Sequence, residues 1–180
     1  MILEQLIHDC KKNDRKAQGQ LYRQFAPKMF SLCLKYSRNY AEAQDNLQEA
    51  FLLIFEKIQQ YEFKGAFEGW LKKVVINYIL QQYRNKRLLN SIDDQDFEEV
   101  EIELEEGISV EFLMKIIQEL PDRYRLVFNL YVFENYSHQE IADALCISVG
   151  TSKSNLSRAK LILKQKIENN TGSTKMPLIK

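Results

Sequence analysis

The stretch 137-SHQEIADALCISVGTSKSNLSRAK-160 predicts two helices around a tight turn. Ser137, with Glu140 three residues on, forms the pattern of a capping box, so a helix starts there and runs to about Leu145. Cys146-Ile147-Ser148 is the turn, and Ser148 can cap a second helix from Val149 to about Ile167. Along that helix Val149, Leu156, Ala159, Leu163 and Ile167 share one side, the spacing of a packed face. Gly150, Ser154, Ser157, Arg158 and Leu161 take the other side, flanked by Lys153, Lys160 and Lys164. Short hydroxyls and an arginine suit base edges while lysines suit phosphates, which is the division a helix needs to lie in a DNA groove. Ala142 is small where the two helices must approach closely. A helical hairpin with a solvated lysine face fits the same pattern.

A DNA reader is at odds with the total charge, since 25 basic residues balance 25 acidic ones. Counted by segment the balance disappears. Residues 1–87 carry a net +6, residues 88–111 carry −10 without a single base, and residues 112–180 carry +4. Two basic ends flank an acidic strip, 90-NSIDDQDFEEVEIELEEG-107, whose like charges repel and which offers little to bury. The strip divides the chain into a first domain at 1–87, a flexible acidic linker at 88–109, a second domain at 110–168 and a frayed tail at 169–180.

Within both domains the pattern is helical, and the expected fold is all-α. Six glycines and three prolines in 180 residues, 45% of them hydrophobic, favour helices with a core of their own. In 46-NLQEAFLLIFEKI-58 the residues Leu47, Phe51, Ile54, Phe55 and Ile58 form one stripe, with Asp45, Gln48, Glu49 and Glu56 opposite. A further helix, 69-GWLKKVVINYILQQYRNKR-87, ends in a basic run, and Gly65 and Gly69 punctuate the loop before it. Upstream, 17-AQGQLYRQFAPKMFSLCLKYS-37 gives one or two helices, with Pro27 marking a break or a start. After the strip, 109-SVEFLMKIIQEL-120 is an amphipathic helix stopped by Pro121, and 122-DRYRLVFNLYVFE-134 is another.

Several function classes find no support. No run approaches the roughly 18 apolar residues of a membrane span, and the acid within the short apolar start argues against a signal peptide. Cys10, Cys33 and Cys146 are widely spaced with no C-x-x-C pair, and His8 and His138 stand far apart, which predicts three reduced thiols and no metal site. There is no phosphate-binding glycine loop and no histidine beside a nucleophile in a recognised motif, so an enzyme and a cofactor are not expected.

The C-terminal stretch resembles the corresponding domain of bacterial sigma factors of the extracytoplasmic-function type. The matching residues are Leu120-Pro121, Arg125, Glu140-Ile141-Ala142, Ile147-Ser148, Gly150-Thr151, Lys153-Ser154 and Arg158-Ala159. The N-terminal half is similar to the polymerase-binding and promoter-melting segments of that family, through Asp45, Gln48-Glu49, Phe51, Trp70-Leu71, Asn77 and Arg84. The resemblance covers about residues 14–168. Asn46, Gln81, Cys146 and Ser152 depart from it, standing where an aliphatic residue, an Asp, a Gly and a Val are common.

The resemblance implies a protein that joins core RNA polymerase in the cytoplasm and directs it to promoters. Its helix-turn-helix would read the upstream (minus thirty-five) element as duplex, through Thr151, Lys153, Ser154, Ser157, Arg158 and Lys160. Its N-terminal domain would melt the downstream (minus ten) element and hold the non-template single strand. Stacking faces and a basic track can offset the lost base stacking, and the residues for it are Phe63, Lys64, Phe67, Trp70, Lys73, Asn77 and Arg84, with Tyr61 and Lys72 nearby. Phe67 and Trp70 fit a core position equally well. Asp45, Gln48 and Glu49 would face the polymerase. An anti-sigma factor is an implied partner, and insertion into a membrane is not. A stand-alone helix-turn-helix regulator is the alternative, and a helical adaptor is a third reading that leaves the Lys153–Lys160 face without a role.

Overall fold

Asp14 and Asn39 each start a long helix, because their side chains accept backbone N–H groups that the first helical turn leaves unpaired. The computed structural model describes residues 2–87 and 108–174, and among these every regular element is helical. The acidic stretch expected to be a flexible linker therefore lies outside the described residues, apart from positions 108 and 109. The chain separates into two compact units, Met1–Tyr83 and Arg84–Lys180.

The N-terminal unit is built from α1 (Leu3–Lys11), α2 (Arg15–Tyr36), α3 (Tyr40–Lys57), a 3-10 turn at Ile58–Gln60, and α4 (Phe67–Arg87), whose last turn runs past Tyr83. α2 packs against α1 and α3, with Leu21, Met29, Leu32 and Cys33 buried. Phe25 of α2 meets Phe67 of α4 edge to face at 5.5 Å, and the Lys28–Glu68 ion pair joins the same two helices at 2.8 Å. Pro27 lies inside α2 and not at its boundary, so the segment is one helix. The carbonyl left without its i+4 donor is that of Arg23, an exposed residue that water can reach. Asn46 donates to the hydroxyl of buried Ser37 at 2.9 Å, which gives this polar residue a structural partner where an aliphatic one is common. α1, held by buried Leu6, Ile7 and Cys10, was not anticipated as a separate element.

The C-terminal unit comprises α5 (Val110–Gln118), α6 (Asp122–Val132), α7 (His138–Leu145) and α8 (Val149–Thr174). α8 packs on α5, α6 and α7, burying Leu156, Ala159, Leu163 and Ile167 as the spacing predicts. Arg125 is buried, 2% exposed, and spans the turn between α5 and α6. It donates to the carbonyls of Gln118 and Leu120, at 3.0 and 2.6 Å, and to the Asp122 carboxylate at 2.5 Å. A charge at this depth is tolerated because acceptors surround it. α8 runs past Ile167 to Thr174, into the segment expected to fray. Gly172 costs about 1 kcal/mol in a helix interior, too little to stop it, and the next proline is Pro177.

Candidate nucleic-acid interface

The turn that leaves α3 leads into a loop, residues 61–66, that delivers aromatic rings to the start of α4. Tyr61 closes this loop with a hydrogen bond from its hydroxyl to the Gly65 carbonyl at 2.8 Å. Gly65 has φ +81°, a conformation that side chains disfavour. Phe63 and Lys64 are exposed at the tip, and Lys64 pairs with Glu62 at 2.6 Å. Trp70 is half-buried and leans on Phe67, with ring centres 5.6 Å apart and nearly parallel, and on Tyr61 at 5.7 Å. Lys73 and Asn77 are exposed, and together with half-buried Trp70 and Arg84 they fall on one side of α4. Gln81 lies in the same stripe, exposed between Asn77 and Arg84.

Phe67 corrects the expectation that placed it among the base-stacking residues. It is 4% exposed, enclosed by Phe25, Tyr61 and Trp70, and therefore has no face to offer. Its place is in the core, where it supports Trp70 from beneath. The alternative weighed for Phe67 in the sequence thus holds, whereas Trp70 keeps part of its surface open.

On α3 the side chains of Asp45, Gln48 and Glu49 are exposed together, one turn apart on a common face. The same face carries Leu52, 65% exposed, which the sequence reading passed over. Its signal was present, since Leu52 is an apolar residue outside the buried stripe of Leu47, Phe51 and Ile54. The charges of this face reach Tyr78 of α4, whose hydroxyl is pushed up by burial and then by Glu49 and Asp45.

In the C-terminal unit the turn between α7 and α8 follows the local chemistry read from the sequence. Ser137 and Glu140 form the reciprocal capping box, with the Ser137 N–H donating to the Glu140 carboxylate at 2.8 Å. That bond and the Ser137 hydroxyl hold the Glu140 carboxyl below its ordinary value. The Ser148 hydroxyl accepts the Thr151 N–H at 2.9 Å and caps α8. Cys146 ends α7 at φ +54°, ψ +50°, the left-handed conformation for which glycine is the common choice. Ser152, fully buried, is bonded to His138 Nδ1 at 2.9 Å, and the His138 ring stacks on Tyr131 at 4.7 Å. The hydroxyl that replaces an aliphatic side chain thus ties α8 to α7, instead of loosening the packing.

The expected base-reading residues are disposed unequally. Lys153 is exposed and Arg158 and Lys160 are half-buried. Thr151, Ser154 and Ser157 correct the expectation of an open hydroxyl face, being 8%, 8% and 6% exposed. Thr151 Oγ1 bonds Ser148 Oγ at 2.7 Å, and the Ser154 hydroxyl donates to the Thr151 carbonyl at 3.1 Å. Arg158 donates to the hydroxyl of Tyr124 at 2.9 Å with its guanidinium over that ring. Arg123 donates to the same hydroxyl, also at 2.9 Å. Tyr124 was not singled out in the sequence, where nothing in α6 marks it as the residue that orients Arg158.

Burial pushes the Cys10 thiol up to about 11 and the Cys33 thiol up to about 12, which disfavours the thiolate at both. Among the described residues no group of His, Cys, Asp and Glu is placed to hold a metal ion, and no helix is long and apolar enough to cross a membrane.

Known proteins show the same two-part arrangement. The Sigma-70 region 2 family profile matches residues 21–88, and the Sigma-70, region 4 profile matches residues 113–163. The ECF RNA polymerase sigma factor SigW of Bacillus subtilis is 26% identical over 184 residues, which cover 94% of this chain and 98% of its own. The RNA polymerase sigma-H factor of Pseudomonas aeruginosa is 28% identical over 172 residues, covering 87% of this chain and 89% of its own. The sigma factor RpoE of Bartonella quintana, solved in complex with the anti-sigma factor NepR, shares the fold. Its TM-score is 0.52 at 21% identity, over 83% of this chain and 96% of that one. Two region profiles in family order, full-length relatives and a helix-turn-helix with its capping box agree: the chain belongs to the sigma-70 family, as a sigma factor of the extracytoplasmic-function type.

Proposed function

We propose that the N-terminal unit opens the downstream promoter element and that the C-terminal unit reads the upstream element as duplex. As a sigma factor the protein binds core RNA polymerase and directs it to promoters, without an active site of its own. The observation that carries the division of labour is the track of exposed Phe63, Lys64, Lys73 and Asn77 with half-buried Trp70 and Arg84, along the 61–66 loop and one side of α4. Opening DNA forfeits roughly 1.4 kcal/mol of stacking per base-pair step. Aromatic faces return about 1–3 kcal/mol per stacked base. Phe63 and Trp70 are the two rings with surface available for this, and the cations beside them attract the strand's phosphates. Asn77 carries an amide that can hydrogen-bond a base edge or the backbone.

On α8, Lys153 and Lys160 contact phosphate and Arg158 reads a base edge in the major groove. Thr151, Ser154 and Ser157 are second to these, because their hydroxyls have to be uncovered before a duplex can meet them. Asp45, Gln48 and Glu49, with Leu52, form the surface that docks on the polymerase. An anti-sigma factor binds the protein, as NepR is in complex with the Bartonella sigma factor, and the protein works in the cytoplasm. The region 2 unit is assigned to residues 1–87 and the region 4 unit to 110–168, joined by the acidic stretch 88–109.

Run-off transcription on a mixed promoter library, with bacterial core polymerase, tests the proposal. Addition of the protein is expected to produce initiation at a defined set of two-element promoters, and Trp70→Ala is expected to abolish it. Full initiation by a Trp70→Ala, Phe63→Ala double variant would overturn the assignment of the opening track.

A further inference from the structure

The exposed Phe63 ring is held by α1, a helix that lies before residues 21–88, the part of the chain matched by the region 2 profile. Phe63 has φ +58°, a conformation that a bulky non-glycine residue adopts only when its surroundings impose it. The His8 imidazole stacks on the ring at 4.8 Å with 28° between planes. The Lys11 ammonium lies 4.9 Å from the ring centre. Tyr61 closes a third side at 5.1 Å. Phe63 is nevertheless 37% exposed, so the ring is gripped but still open to solvent.

The grip extends to the backbone of the loop. Lys11 Nζ donates to the Tyr61 carbonyl at 2.6 Å, and the Gln59 side-chain amide donates to the Lys11 carbonyl. Lys11 thus fixes the loop's entry while its charge faces the loop's tip. α1 is itself anchored by Leu6, Ile7 and Cys10, so the platform is rigid. His8, in contrast, is exposed and belongs to no core. An exposed imidazole stacked on a residue in a disfavoured conformation adds little to global stability, and what it does is orient that residue.

We propose that His8 and Lys11 are positioning residues for promoter opening, holding Phe63 in the attitude in which it stacks on an unpaired base of the non-template strand. The inference rests on the reading of the 61–66 loop as a strand contact, and it adds α1 to the opening machinery. An aromatic ring pre-set in its bound attitude loses less entropy on stacking than a free one, which favours the opened strand.

The test uses full-length protein with core polymerase on a promoter carrying 2-aminopurine in the downstream element, whose fluorescence reports opening. Core binding and thermal stability are measured alongside. His8→Ala and Lys11→Met are each expected to slow opening about three- to tenfold, with core affinity and melting temperature unchanged. His8→Phe, which keeps a stacking ring, and Lys11→Arg, which keeps the cation and donor, are expected to restore most of the rate. In a Phe63→Ala background the α1 substitutions are expected to have no further effect. Wild-type opening by His8→Ala and Lys11→Met, with Phe63→Ala slow, would overturn the role of α1 and leave the loop reading intact. Wild-type opening by Phe63→Ala would overturn the loop reading itself and the inference with it. Additive losses in the Phe63→Ala background would show that α1 acts on something other than Phe63.

Discussion

In the N-terminal unit the candidate DNA surface is a cluster of aromatic rings leaning on one another, whereas in the C-terminal unit it is one polar helix. Phe67 is spent entirely on support, and Trp70 and Phe63 are left partly open above it. On α8 the hydroxyls of Thr151 and Ser154 are engaged locally, and Arg158 is tethered to Tyr124. The difference matches the two forms of ligand proposed for the two surfaces. An opened strand presents base faces, which rings bind without regard to sequence. A duplex presents base edges in a groove, which require donors and acceptors of fixed direction. Each unit is therefore stiff in a different way, the first through packing and the second through hydrogen bonds.

The contrast can be broken most sharply at Arg125. Arg125→Ala removes a buried cation from two carbonyls and a carboxylate, and the C-terminal unit is expected to lose about 3 kcal/mol. Hydrogen exchange read by unit is expected to show α5–α8 loosened and α1–α4 protected as before, and equal loosening of both would mean that they do not fold as separate units. Lys160→Ala is expected to weaken duplex binding alike on all sequences and to lower the slope of affinity against salt by about 1. An unchanged slope in a salt titration would remove Lys160 from the phosphate contacts. Cys146→Gly relieves a left-handed residue between α7 and α8 and is expected to stabilise the C-terminal unit by about 0.5–1 kcal/mol in thermal unfolding. A fall in stability would mean that the Cys146 side chain contributes more than its backbone strain costs.

The smallest effect concerns Glu140. Its carboxyl titrates below its unfolded value, because the Ser137 N–H and hydroxyl favour the charged form. The capping box therefore contributes its stability above the ordinary carboxylate range and loses it as pH falls through the folded value. Glu140→Gln is expected to lessen the acid sensitivity of the C-terminal unit between about pH 6 and pH 3, as followed by circular dichroism. Identical acid profiles for the two proteins would remove the box from the pH dependence.

Where a residue's role is local, the sequence was enough to read it. The capping box at Ser137, the cap at Ser148 and the buried stripes of α3 and α8 all depend on neighbours within a turn or two. The helix-turn-helix and the polar face of α3 followed from the same spacing. What spacing hides is the partner across the fold. Phe67 and Trp70 look alike in the chain, and only the approach of Phe25 from α2 makes one core and leaves the other open. Tyr124 is one tyrosine among nine until Arg158 arrives from 34 residues away. The α1 grip on Phe63 joins residues more than fifty positions apart, and no periodicity reports such a pairing. Pro27 misled in the opposite sense, because a local rule about helix breaking yielded to the burial on either side of it.

Opening is proposed for the N-terminal unit and duplex reading for the C-terminal one. Permanganate reactivity of downstream thymines, measured with core polymerase beside footprinting of the upstream element, tests this division most directly. Trp70→Ala is expected to leave the upstream footprint in place and the downstream thymines unreactive. Arg158→Ala is expected to weaken the upstream footprint, while the complexes that do form still open. Downstream reactivity that survives Trp70→Ala, or an upstream footprint lost with it, would show that the two units do not divide the roles in this way.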